Sequence, residues 1–176
     1  MPRLLGVALA FTLAGCTASP ASLSTGSLPA DLDGAWRLVS AQAFDAEGAL
    51  VYDPEIRGGL LVVADGHYSV LWTRAPRPDP AEAWAPTEAE RLVSFATMIA
   101  HAGAVRAVAP DTVRFDAVAA KSPEFAGGHE TFAVRALGDS LRLRAVWAES
   151  AAGVPVPFYA RRGRQDYVFV RQTLAD

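Results

Sequence analysis

Residues 59–72 read GLLVVADGHYSVLW. Two apolar runs of strand length, 59–64 and 67–72, flank Asp65-Gly66. That pair suits a type I′ turn, whose two central residues both need positive φ. The stretch therefore predicts an antiparallel hairpin, with Tyr68, Val70 and Trp72 on one face of its second strand. The same grammar continues outward. Residues 34–41 (GAWRLVSA) alternate, with Trp36 and Leu38 on one face and Arg37 on the other. Residues 104–109 and 112–119 flank Pro110-Asp111, and 130–136 and 140–147 flank Leu137-Gly138-Asp139. In the run 140–147, Arg142 and Arg144 alternate with Leu141 and Leu143, so one face is wet. Residues 166–172 (DYVFVRQ) form a last strand.

One segment breaks the pattern. Four prolines in 75–86 (APRPDPAEAWAP) exclude regular structure. Thr87 and Glu90 then form a capping box, Leu92, Phe95, Ala96 and Ile99 recur at helical spacing, and Gly103 supplies a stop. The spacing predicts one helix over about 87–101, with His101 at its C-terminal end, where an imidazolium suits the dipole. Eight or nine strands joined mainly by hairpins, with one inserted helix and no βαβ unit, give an all-β class: an up-and-down antiparallel barrel closed on itself.

The N-terminus carries an address. Met1-Pro2-Arg3 precedes an apolar run over 4–13, and Leu13-Ala14-Gly15-Cys16 ends it. This is the order of a secretory signal peptide, over 1–15. The run is shorter than the ~20 residues that cross a bilayer as a helix. Cys16 is the only cysteine of the 176 residues, so it has no partner within the chain. Its setting resembles a bacterial lipobox, which implies lipidation of Cys16 by acyl chains of the palmitate kind and membrane anchoring through them. Cleavage at a small-residue site around 18–21 is the alternative. Thr17, where an Asp would resemble an inner-membrane retention signal, points to the outer membrane and the periplasm. Residues 16–30 read as a flexible tether rich in Ser, Thr, Ala and Pro, and 31–174 as one domain. The net charge is −3 and Lys121 is the only lysine. No basic stripe suggests nucleic acid.

Gly34-Ala35-Trp36 on the first strand and Arg171 on the last resemble the lipocalin arrangement, in which a Gly-x-Trp packs under an arginine and closes one barrel end. The body from Leu32 to Arg171 resembles the bacterial lipocalin-like domain family. The matching pieces are 32–40, 58–61 with 65–70, His101-Ala102-Gly103, 138–143 and 167–171. There are departures. Family members often carry tyrosine where this chain has His101, histidine near Val113-Arg114-Phe115, and arginine after the stretch 127–132. Those losses imply a more apolar ligand, or none.

Chemistry-bearing motifs are few. His67 reads as exposed, and His129-Glu130 matches no zinc-ligand spacing, so no metal is expected. There is no P-loop, no Gly-x-Ser-x-Gly and no nucleophilic cysteine, so neither a catalytic residue nor a cofactor is expected. The aromatic residues carry more. Tyr68, Trp72, Phe115, Phe132, Trp147 and Phe169 lie on faces that point inward in a barrel, with Gly34, Trp36 and Arg171 closing it. Those faces make either a packed core or the lining of a cavity. The leading functional expectation is an envelope lipoprotein that takes up a small apolar or amphipathic molecule, with residues 75–86 and the helix covering the mouth or one side. The alternative is a ligand-free structural or interaction barrel, docking through Arg142 and Arg144 or through the loop 150–164. An isomerase or cyclase would need a histidine or carboxylate inside the barrel, and the alternation is expected to place none there.

Overall fold

The computed structural model describes residues 28–29 and 31–173. Cys16, the expected signal peptide over 1–15 and most of the expected tether lie outside the described residues. Nine strands follow in order: β1 (Gly34–Phe44), β2 (Leu50–Tyr52), β3 (Ile56–Ala64), β4 (His67–Arg74), β5 (Met98–Ala109), β6 (Thr112–Ala120), β7 (His129–Leu137), β8 (Ser140–Glu149) and β9 (Arg164–Arg171). From β3 to β9 each strand pairs antiparallel with the next, β1 pairs with β3, and β9 pairs back onto β1. Eight strands thus close an up-and-down, lipocalin-like barrel, and β2 is an extra strand on the end of β1. Closure leaves no long edge to template aggregation. Asp65 and Gly66 have φ of 49° and 74°, the type I′ pair that the sequence called for.

The two barrel ends differ. Hairpin turns 65–66, 110–111 and 138–139 gather at one end with the start of β1. There the Trp36 side chain is fully buried and its Nε1 donates to the Leu32 carbonyl at 2.9 Å. The Arg171 guanidinium lies 4.1 Å from the indole centroid and donates to the Asp33 and Asp31 carbonyls at 3.1 and 3.2 Å. Gly34 enters this corner at φ +139°, and a Cβ there would sit 2.7 Å from Arg171 Nη1. The long connections 45–55, 75–97, 121–128 and 150–163 gather at the other end.

Two sequence expectations need correction. The helix, α1 (Glu88–Ala96), has the capping box of Thr87 and Glu90 but stops five residues short of His101. Residues 98–104 instead pair with β4, from Thr73↔Met98 to His67↔Ala104. A helix there would leave the β4 backbone groups without partners, and that outweighs the local helical spacing. Gly103 is a mid-strand position rather than a helix stop: a Cβ would collide with the Asp116 carbonyl oxygen of β6. The second correction concerns Trp147. The register runs Thr131↔Trp147 but Phe132↔Ala145, so Val146 is an extra residue in β8. This bulge flips the alternation. Trp147 faces out, 36% exposed, with Nε1 on Glu149 Oε2, and Ala148 faces in.

Candidate functional site

The inward faces do not fill the barrel. A cavity of about 340 Å³ lies toward the end with the long connections. At about 30 Å³ per non-hydrogen atom, the share of a water molecule in the liquid, it holds on the order of ten atoms. Of the six aromatic residues expected to line it, Trp72, Phe115, Phe132 and Phe169 do so. Tyr68 sits behind this lining, its ring 4.3 Å from that of Phe115, and Trp147 is excluded by its bulge. The rings form a chain around the interior: Phe115 to Phe132 at 5.0 Å, Phe132 to Tyr167 at 6.1 Å, and Tyr167 to Trp72 at 6.4 Å. None of residues 75–97 lines the cavity, so the proline-rich loop and α1 do not wall it. They stand at the rim, where Lys121 Nζ donates to the carbonyls of Phe95 and Met98 at 3.0 and 2.9 Å.

The interior also holds two titratable groups that the sequence was expected to keep out. His101, placed on β5 rather than on a helix end, lines the cavity, and Tyr68 Oη lies 2.9 Å from its Nδ1. Burial lowers its pKa to about 4, so it is neutral at pH 7. The same burial raises that of Tyr68, which stays protonated. The bond joins Tyr68 Oη and His101 Nδ1, and which of the two donates follows the imidazole tautomer.

Glu130 on β7 is the second group, 8% exposed and lining the cavity. Burial raises its pKa to about 7, against a smaller opposing effect of the hydrogen bond from Tyr159. Tyr159 comes from the one-turn helix α2 (Pro157–Ala160), started by a proline at its first position, in a stretch that reads as a loop in the sequence. Its hydroxyl lies 2.9 Å from Glu130 Oε1 and 2.7 Å from Gln165 Oε1, which Tyr167 Oη also reaches at 3.0 Å. A hydroxyl has one proton, so Tyr159 donates to one of these acceptors at a time. With Glu130 ionised, Tyr159 donates to the carboxylate. With Glu130 protonated, the carboxyl donates to Tyr159, which turns to Gln165. The network thus serves both charge states by rotating one hydroxyl.

Glu130 was legible in the sequence. It lies two residues before Phe132 and four before Val134, on the face already assigned inward. His101 was masked by the overlong helix. His129, beside Glu130, points outward and is buried against Glu149, with Nδ1 3.4 Å from its Oε1. His67 is exposed, as expected. Among the described residues no three His, Cys, Asp or Glu side chains converge as a metal site requires. No protein-family model matches the chain, and no curated protein matches its sequence.

Proposed function

We propose that this chain is a bacterial envelope lipoprotein whose barrel binds a small, largely apolar or amphipathic molecule. The observation that carries this reading is the cavity: about 340 Å³, walled by aromatic and aliphatic side chains, with a few polar groups at fixed positions. Ligand sites have this composition, apolar walls for burial and sparse polar groups for orientation. His101 and Glu130 would fix a polar end of the ligand, and Trp72, Phe115, Phe132 and Phe169 would cover its body. The closed end, with Trp36 and Arg171, is the floor. The chain enters the barrel there, so an anchor at Cys16 attaches on the floor side and leaves the mouth at the opposite end.

A nine-atom probe binding with about 0.7 kcal/mol per atom reaches a Kd of roughly 30 µM. Titration of 2-phenylethanol is expected to change tryptophan fluorescence saturably in that range through Trp72. Ala148→Phe, which puts a ring into the cavity, is expected to abolish the change while the melting temperature holds. A signal that never saturates, or that survives in the filled variant, contradicts a cavity site. The address is tested separately. Cys16→Ala is expected to move the protein from the membrane to the soluble fraction with the barrel folded, and a variant that stays with the membrane contradicts lipid anchoring.

A further inference from the structure

We infer that the cavity selects a small organic cation, an ammonium group carried on an apolar or aromatic body, with Glu130 as its counter-charge. This rests on the reading of the cavity as a ligand site.

Glu130 is a buried acid without a counter-charge among the described residues. Buried carboxylates are ordinarily paired with a cation, because desolvating the charge alone is costly. Glu130 Oε1 takes the Tyr159 hydroxyl, whereas Oε2 has no partner among the described residues and is not sealed from the cavity. Free lone pairs of a buried carboxylate therefore face the space a ligand would occupy. Around that space stand the rings of Phe115, Phe132, Tyr167 and Trp72, and aromatic faces attract cations through their quadrupole. A carboxylate beside aromatic walls is complementary to an ammonium at both levels, a charge-assisted hydrogen bond and cation–π contact. Ionising Glu130 at neutral pH costs little, since its pKa is already about 7.

The rim favours the opposite charge less strongly. Arg74 Nη2 reaches the Ala96 carbonyl at 3.4 Å, and Lys121 is held by two carbonyls. Both cations also line the cavity, from the last residue of β4 and the residue after β6, on the side of the long connections. An anionic amphiphile would engage them at the mouth and meet Glu130 as a repulsive neighbour further in.

The inference carries a pH signature. The groups facing Glu130 are Tyr159 of α2, Tyr167 and Gln165 of β9, His101 of β5 and, behind Phe115, Tyr68 of β4, with Arg74, Lys121 and Tyr52 at the rim. Burial holds the pKa of each tyrosine up and that of His101 down to about 4, so Glu130 is the cavity group that changes charge between about pH 5.5 and pH 8.

The test is a calorimetric titration of the full chain with three matched molecules: 2-phenylethylamine, 2-phenylethanol and phenylacetate. At about pH 8 the amine is expected to bind about 10- to 100-fold tighter than the alcohol, the range for a buried hydrogen bond to a charged group. Its affinity is expected to fall about 30-fold at about pH 5.5, where Glu130 is protonated, while the alcohol changes little. Glu130→Gln is expected to remove the preference for the amine and spare the alcohol. If that variant does not fold, the pH profile of the unmodified chain carries the test. An amine no tighter than the alcohol, or phenylacetate tightest of the three, overturns the inference while leaving the cavity a binding site. No binding of any of the three overturns both.

Discussion

Trp36→Ala is expected to destabilise the barrel by about 5 kcal/mol. Replacing a buried tryptophan with alanine costs about 3–5 kcal/mol in transfer and cavity terms. Here the indole also donates to the Leu32 carbonyl, which the variant strands, and supports the Arg171 guanidinium at 4.1 Å. An exposed-to-buried cation–π pair adds about 0.5–2 kcal/mol. Domains of this kind are stable by about 5–15 kcal/mol, so the variant sits near the edge of folding. Trp84→Ala is the control. Trp84 is fully exposed on the proline-rich loop, and its loss is expected to change stability by less than about 0.5 kcal/mol. Urea unfolding of both variants measures the difference. Near-equal midpoints would contradict Trp36 as the plug of the closed end.

The second large effect is a pH dependence hidden by cancellation. The carboxyl of Glu130 titrates at about 7 in the folded chain against the ordinary 4.5. Between those values the folded state holds a proton that the unfolded state has released, so stability falls as pH rises through that window. At 1.36 kcal/mol per unit the fall is about 3 kcal/mol. His101 titrates at about 4 against the ordinary 6.5. Between those values the folded state holds fewer protons, so stability rises with pH by about 3 kcal/mol. The two slopes oppose each other from about pH 4.5 to 6.5. Unmasking either one is the test. Relative to the unmodified chain, Glu130→Gln is expected to gain about 3 kcal/mol as pH rises from 4.5 to 7, and His101→Gln to lose about as much from 4 to 6.5. Chemical denaturation at several pH values reads both. Parallel curves for all three chains would mean that the two groups are not buried in the cavity as described.

How much of this was visible in the amino-acid order depended on the range of the interaction. The hairpin around Asp65-Gly66 was legible because turn chemistry and period-two alternation act between neighbours. Closure was legible from the run of hairpin-joined strands and from the resemblance of Gly34-Ala35-Trp36 and Arg171 to the lipocalin arrangement, and the register Trp36↔Arg171 agrees with it. The helix boundary was not, because residues 98–101 satisfy a helical spacing locally and a strand pairing with β4 globally, and the pairing wins. Trp147 was misplaced because Val146 carries no mark of a bulge. Glu130 shows a different failure. It alternates with Phe132 and Val134 on the inward face, and the expectation that the alternation places no carboxylate inside the barrel passed over it. Tyr159 reaches Glu130 and Gln165 from a single helical turn that only a proline announces.

The central claim, an open cavity that takes a small molecule, is tested most directly by methyl NMR during titration with 2-phenylethanol. Leu61, Val70, Leu143 and Val156 line the cavity, whereas Leu60, Val62 and Leu71 alternate with lining positions and face solvent. The account predicts saturable shifts in the first set and none in the second. Shifts confined to the outward set, or no shifts at all, would contradict it.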